Sequence, residues 1–187
     1  MNTAVTSKEE ILKTSRELIR RQGWSAVSIR SVAAGCGVSV GSIYNYFDSK
    51  TDLIGATVES VWCEIFHRPE DDAVFQDVQA CVAWMYQRMA YGCERYPGFF
   101  TLHSLGFLRE DKTAGKQRMQ QTWQHILDEL TMVLTQDKKV RPGAFTAEFS
   151  PQKFAGILFS LMLSAVVQQN FDPTAVLEIV RRTIYET

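Results

Sequence analysis

Between residues 28 and 50 the chain sets out hydroxyls, phenols, an amide and two cations at short intervals: Ser28, Arg30, Ser39, Ser42, Tyr44, Asn45, Tyr46 and Lys50. This is a set for hydrogen-bond donation and positive charge, suited to a partner rich in acceptors rather than to bond-breaking. Ser28 and Ser39 fall where helices are expected to begin. A hydroxyl beside the free N–H groups of a helix start is a natural clamp for phosphate. Capping alone uses the same geometry and is the alternative.

The elements that must position this set are written in the same stretch, SIRSVAAGCGVSVGSIYNYFDSKTDL. Ile29, Val32 and Ala33 give a short first helix its apolar face. Gly35, Cys36 and Gly37 form a break, since glycine enters a sharp turn with positive φ at no steric cost. After Ser39 a second helix is expected, with Val40, Ile43 and Phe47 as one buried stripe. Gly41, Ser42, Tyr44, Asn45 and Tyr46 then face outward, small or hydrogen-bonding. A helix buried on one side and small and polar on the other suits the DNA major groove, which admits one helix and is read by donors and acceptors.

The segment from Gly37 to Leu53 resembles the recognition-helix signature of the TetR family of bacterial transcription regulators, roughly G-V-S-x-G-x-x-Y-x-[YH]-F-x-[SN]-K-x-x-L. Gly37, Val38, Ser39, Gly41, Tyr44, Tyr46, Phe47, Ser49, Lys50 and Leu53 meet it. The resemblance implies that Tyr44 and Tyr46 donate phenolic hydrogen bonds to the DNA backbone and that Lys50 sits on a phosphate. Arg30, Val40, Gly41, Ser42 and Asn45 would then face base edges, with Arg suited to guanine and Asn to adenine. Half-buried packing is the alternative for each tyrosine.

Length and composition fit that picture. With 187 residues, 45% hydrophobic and 22% charged, the chain can bury a real core as one or two domains. Residues 1–50 carry seven Lys and Arg against four Asp and Glu, and the remainder thirteen against seventeen, so a basic head precedes an acidic body. The first twenty residues are charged and helical, unlike an apolar leader, and the longest apolar run, Ile157 to Val167, is too short to span a bilayer. Cytoplasm is the expected compartment. Cys36, Cys63, Cys81 and Cys93 show no metal-ligand spacing, and the three histidines are far apart. Glu94, Glu110, Asp111 and His125 are not arranged for catalysis. No enzyme activity, metal or cofactor is expected; a ligand-binding or interaction module without DNA binding is the other reading.

The whole chain reads as helical, about nine helices with no β-alternation: a three-helix DNA-binding head over residues 1–50, a connecting helix over 51–68, and a ligand-binding and dimerisation body over 69–187. Ser7 and Glu10 form a capping pair for the first helix, whose Lys13, Arg16, Arg20 and Arg21 are expected on its outer side. Ser49 and Asp52 cap the fourth. Val74 to Tyr96 reads as one helix and Phe99 to Leu108 as a short apolar one. Ser150-Pro151 and Asp172-Pro173 both read as helix starts.

Trp62, Phe66, Trp84, Met85, Met89, Phe99, Phe100, His103, Phe107 and Trp123 make the body rich in aromatics and methionine, which suits a pocket for an apolar or aromatic effector; ordinary core packing is the alternative. In the family the corresponding helices enclose such a pocket. The last two helices carry Phe154, Ile157, Leu158, Leu161, Met162, Ala165, Leu177, Val180 and Ile184 over an arc too wide for one-sided burial. Gly156, Ser160 and Ser164 recur every four residues and would let another helix approach. A homodimer through a four-helix interface follows, and matches the family arrangement. The resemblance therefore implies a repressor that reads a palindromic operator and is released by a small molecule.

Overall fold

A computed structural model describes residues 6–67, 72–100 and 113–186. Among them are eight α-helices and no strand: α1 Lys8–Gln22, α2 Ile29–Gly35, α3 Val40–Tyr44, α4 Lys50–Ile65, α5 Val78–Arg95, α6 Thr113–Gln136, α7 Pro151–Gln168 and α8 Thr174–Val180. The described residues form two compact units. One lies within Met1–Glu64 and Gly92–Thr122, the other within Ile65–Tyr91 and Trp123–Thr187.

The first unit begins with α1. Ser7 Oγ accepts from the Glu10 N–H at 3.1 Å, and Glu9 and Glu10 sit at the positive end of the helix dipole. Gly23, at φ 80°, ends the helix by donating its N–H to the Ile19 carbonyl. Ile11 and Ile19 are fully buried, and Ser15 between them satisfies its hydroxyl on the Ile11 carbonyl. At the start of α2 the Ser28 hydroxyl accepts from Ser31 N–H, and Ser31 Oγ returns the bond to Ser28 N–H. A Cβ on Gly35 would come within 2.6 Å of Thr14 Cγ2, so only glycine lets α1 and α2 approach this closely. Gly37, at φ 66°, makes the turn into α3.

Ahead of α4, Ser49 Oγ accepts from Asp52 N–H while the Asp52 carboxylate accepts from Asp48 N–H. Trp62 on α4 packs edge-on against Phe100 at 5.4 Å between centroids, and Phe99 stands against Trp24 at 5.6 Å. This aromatic cluster gathers residues from segments that the sequence reading kept apart.

The arginines expected on the outside of α1 do something else. Arg16 donates to Glu64 at 2.9 Å, Arg20 pairs with the same carboxylate and donates to the Tyr96 hydroxyl at 2.8 Å, and Arg95 joins at 3.4 Å. The side chains of Arg16 and Arg20 are only 15% and 19% exposed. They face inward because Glu64 supplies the counter-charge that lets a guanidinium leave water. Lys13 and Arg21 remain exposed, beside Glu10 and Glu17.

In the second unit the expected Val74–Tyr96 helix is broken. A 3₁₀ turn over Asp72–Gln76 precedes α5, because Asp77 Oδ1 accepts from the Ala80 N–H and sets a new helix start. Val78, Val82, Met85 and Met89 are buried at the spacing expected of them. Asp137 is buried and accepts from Val78 N–H at 3.0 Å, from Lys139 N–H at 2.8 Å and from the Tyr185 hydroxyl, tying together the ends of three elements. Burial, then this carboxylate, push the Tyr185 phenol far above its ordinary range.

Ser150 Oγ caps α7, with Pro151 in its first turn. Asp172-Pro173 does not repeat the device. Proline itself occupies the N-cap of α8, and the Asp172 carboxylate accepts from the Thr174 N–H at 2.9 Å. The short apolar helix expected over 99–108 lies mostly outside the described residues; Phe99 and Phe100 are buried in a turn.

Burial would raise the Glu64 carboxyl, but the Tyr96 hydroxyl, Arg20 and Arg16 outweigh it and hold it below the usual carboxylate range. A depressed acid contributes stability that is present above its unfolded value and lost as pH falls through its folded one. Glu64→Gln is therefore expected to cost about 1–3 kcal/mol near neutral pH. Urea unfolding across a pH series should show the gap between the two proteins closing in acid; a gap independent of pH would mean that charge is not what holds this cluster.

Candidate nucleic-acid interface

α3 is five residues long, too short to persist by itself, and owes its position to what it buries. Ile43 is 0% exposed and Phe47, just beyond the helix, 1%. Val40, expected in the same stripe, is exposed at 40% and stands instead on the outer face with Tyr44 at 49%. The reason is geometric: Val40 opens the first turn, before the helix has reached the core. Its methyls suit apolar contact with a base edge better than packing.

Gly41 and Asn45 are exposed beside them, and Ser42 is half-buried. A Cβ on Gly41 would meet nothing nearer than Ser39 Oγ at 3.7 Å, an ordinary contact. The fold does not require glycine there. Ser39 Oγ accepts from Ser42 N–H at 3.1 Å and lies 2.9 Å from Ser42 Oγ. Ser28 is similarly committed to Ser31. Arg30 on α2 and Lys50 at the first position of α4 are exposed.

Tyr46 is placed differently from the expectation. Its ring is exposed at 40%, but its hydroxyl donates to the Thr6 carbonyl at 2.5 Å and so fastens the segment before α1 to the end of the recognition turn. Lys8 is a neighbour that sequence reasoning missed: its ammonium lies 5.7 Å from the Phe47 ring centroid, adding a cation to this side of the head. Its position at the start of an N-terminal helix gave no signal, since the contact spans almost forty residues of chain.

The second unit holds an apolar cavity of about 100 Å³. Phe66, Trp84 and Met85 line it as expected, joined by Phe75, His125 and Glu129. Trp62, Phe99 and Phe100 instead pack on one another in the first unit, and Met89 is fully buried core. Trp123 packs edge-on against Phe159 at 5.6 Å. His103 and Phe107 lie outside the described residues. Cys81, on the cavity wall, is pushed up to about 12 by burial and by nearby Glu129 and Asp77, so its thiol stays protonated and unreactive.

On the last helices, Phe154, Leu158, Met162, Ala165, Val180 and Ile184 fill the core of their own unit. Ile157 remains exposed and Leu161 and Leu177 half-buried, while Val167 and Ile179 add exposed apolar surface that the sequence reading did not include.

Comparison with known proteins decides what this head is. Residues 11–57 match the family described as bacterial regulatory proteins, tetR family. That match covers the helical head and leaves the remaining residues outside it. Over 52 residues it is 40% identical to the uncharacterized HTH-type transcriptional regulator YerO of Bacillus subtilis, covering 28% of this chain and 18% of that protein. Over 100 residues it is 26% identical to an uncharacterized HTH-type regulator in the lacX 3′ region of Lactococcus lactis, covering 46% of this chain and 50% of that one. The chain thus spans half or less of the curated relatives it matches. In fold it is similar to the transcriptional regulator FadR from Bacillus subtilis, solved in complex with stearoyl-CoA, at 17% identity and a TM-score of 0.62 over 96% of this chain and 98% of that one. The likeness to solved structures extends over nearly the whole chain and concerns the fold, while the likeness in sequence is concentrated in the head.

Lys50→Ala is expected to weaken binding to all duplexes alike and to reduce the slope of log affinity against log salt by about 1. Gel shifts at several salt concentrations read both; unchanged affinity would remove Lys50 from the contacts. Asn45→Ala is expected to change the ranking of related duplexes more than the affinity for unrelated DNA.

Proposed function

We propose that this protein is a TetR-family regulator, a ligand-responsive repressor that binds a palindromic operator as a homodimer. The observation that carries the reading is the division of residues 40–47: Ile43 and Phe47 are buried while Val40, Gly41, Tyr44 and Asn45 are presented outward. Val40, Gly41 and Asn45, with Arg30 and Ser42, are assigned to base edges. Ser28, Ser39, Tyr44 and Lys50 are assigned to the sugar-phosphate backbone, where backbone N–H groups at the starts of α2 and α3 add further donors. Tyr46, assigned from sequence to a phenolic hydrogen bond with the DNA backbone, instead donates its hydroxyl to the Thr6 carbonyl in the free head.

One head makes few contacts, so two copies are needed for a specific site, with half-sites one helical turn or roughly 34 Å apart. The exposed apolar residues of α7 and α8 supply the pairing surface. A Cβ on Gly156 would find no atom within 4 Å, leaving an open groove beside Ile157 for a second copy's helix. Ser160 turns its hydroxyl back onto the Gly156 carbonyl at 2.8 Å, which keeps that surface free of unsatisfied polar groups.

The cavity of the second unit is assigned to the effector. Support comes from its aromatic lining and from the FadR neighbour, which holds stearoyl-CoA. Release requires an effector that prefers the conformation unable to bind DNA; equal affinity for both would shift nothing.

Selection from a random duplex pool is expected to yield a palindrome, and failure to enrich any sequence at low salt would overturn the DNA-binding reading. Leu161→Asp is expected to halve the mass seen by light scattering at micromolar concentration and to abolish cooperative binding to the two half-sites. A dimer that survives the substitution would move the interface away from α7.

A further inference from the structure

Charge pairing divides the cations of the head into two groups. On α1, Lys13 pairs with Glu10, Arg16 and Arg20 with Glu64, and Arg21 with Glu17. Lys8 is the exception. Its two acidic neighbours are turned elsewhere, Glu9 toward Arg16 at 3.3 Å and Glu10 toward Lys13 at 3.7 Å. Among the described residues no carboxylate pairs with Lys8, Arg30 or Lys50, and all three are exposed. Two of these three are the cations assigned above to DNA.

Lys8 also breaks a local rule. It opens α1, where the positive end of the helix dipole favours the acids at the next two positions and opposes an ammonium. What holds it there is contact with the end of α3. Its ammonium lies 5.7 Å from the centroid of the Phe47 ring, and Phe47 is fixed in the core. Two residues earlier, the Thr6 carbonyl accepts from the Tyr46 hydroxyl at 2.5 Å. Adjacent residues after α3 thus grip the chain on both sides of the Ser7 cap. An ammonium on a flexible stem is thereby kept beside the recognition turn.

We infer that Lys8 is a further contact to a DNA phosphate, and that Tyr46 is the positioning residue that holds it by tethering Thr6 to the turn after α3. This rests on reading residues 40–47 as the element that enters the groove, and extends that interface to the start of α1. An unpaired ammonium gains a phosphate without giving up a partner, whereas Arg16 or Arg20 would first have to leave Glu64. The phenol then bonds within the head, and its effect on DNA is carried by the cation two residues from its acceptor.

Fluorescence anisotropy of a labelled duplex, read from about 50 to about 200 mM salt, separates charge from structure. Each cation on a phosphate adds about 0.9 to the slope of log affinity against log salt. Lys8→Gln is expected to flatten the slope by one such contact, so that its deficit against the unaltered protein shrinks about threefold across the range. Lys8→Arg should restore it. Tyr46→Phe removes a neutral hydroxyl, which by itself would leave the slope unchanged. Here it is expected to flatten the slope, and to add nothing in the Lys8→Gln background. Equal losses from Tyr46→Phe in both backgrounds, at an unaltered slope, would overturn the positioning role and return the phenol to the duplex. An unaltered slope for Lys8→Gln, while Lys50→Ala loses its share, would strike Lys8 from the contacts and leave the recognition reading standing. Unaltered slopes for both lysine variants, or no binding by the unaltered protein at the lowest salt, would sink both. The slope does not depend on the fraction of active protein, so a poorly folded variant still reports.

Discussion

A recognition helix of five residues has almost no stability of its own, and everything this protein is proposed to read depends on what holds that helix still. Nucleating a turn costs more than so short a helix returns in hydrogen bonds. Burial of Ile43 and Phe47 makes up the difference: at about 25 cal/mol per Å² of apolar surface, two large side chains contribute several kcal/mol. The polar residues between them are thereby placed without having to stabilise anything. Ser39 and Gly37 add the local geometry, one by capping and one by a backbone angle other residues resist.

The support for that head is electrostatic as well as apolar. Glu64 collects Arg16, Arg20 and Arg95, and Tyr96 completes the arrangement. Each arginine alone would lose more in hydration than a single exposed pair returns. Shared around one partly buried carboxylate, with a phenol as a further partner and Arg20 lying 5.2 Å from the Tyr96 ring centroid, they form a cluster with its polar groups largely satisfied. The same cluster withdraws two cations from the surface, while Lys8, Lys13, Arg21, Arg30 and Lys50 stay exposed. Net charge counted along the sequence overstates what a phosphate would meet.

Local rules carried well from sequence to structure. The caps at Ser7, Ser28, Ser39, Ser49 and Ser150 are where hydroxyl spacing put them, because a cap is decided within three or four residues. The buried face of α5 followed from periodicity for the same reason. What spacing could not show were partnerships across long stretches of chain. Arg16 and Arg20 looked like solvated residues because their shared acid, Glu64, lies more than forty positions onward in sequence. His125 and Glu129 share the cavity wall with Trp84, a grouping that only the fold could show. Conversely, Trp62, Phe99 and Phe100 had the composition of a pocket and proved to be packing. Aromatic content alone does not distinguish a wall from a filling.

The bond from Tyr46 to the Thr6 carbonyl ties the segment ahead of α1 to the turn that follows α3. Thr6 is itself nearly buried, so the chain just ahead of α1 is seated on the recognition turn rather than trailing from it. Bulky insertions placed close ahead of α1 would load that hydrogen bond. Material for operator work is better engineered at the opposite terminus, and differences in activity between differently tagged preparations would have a ready mechanical origin.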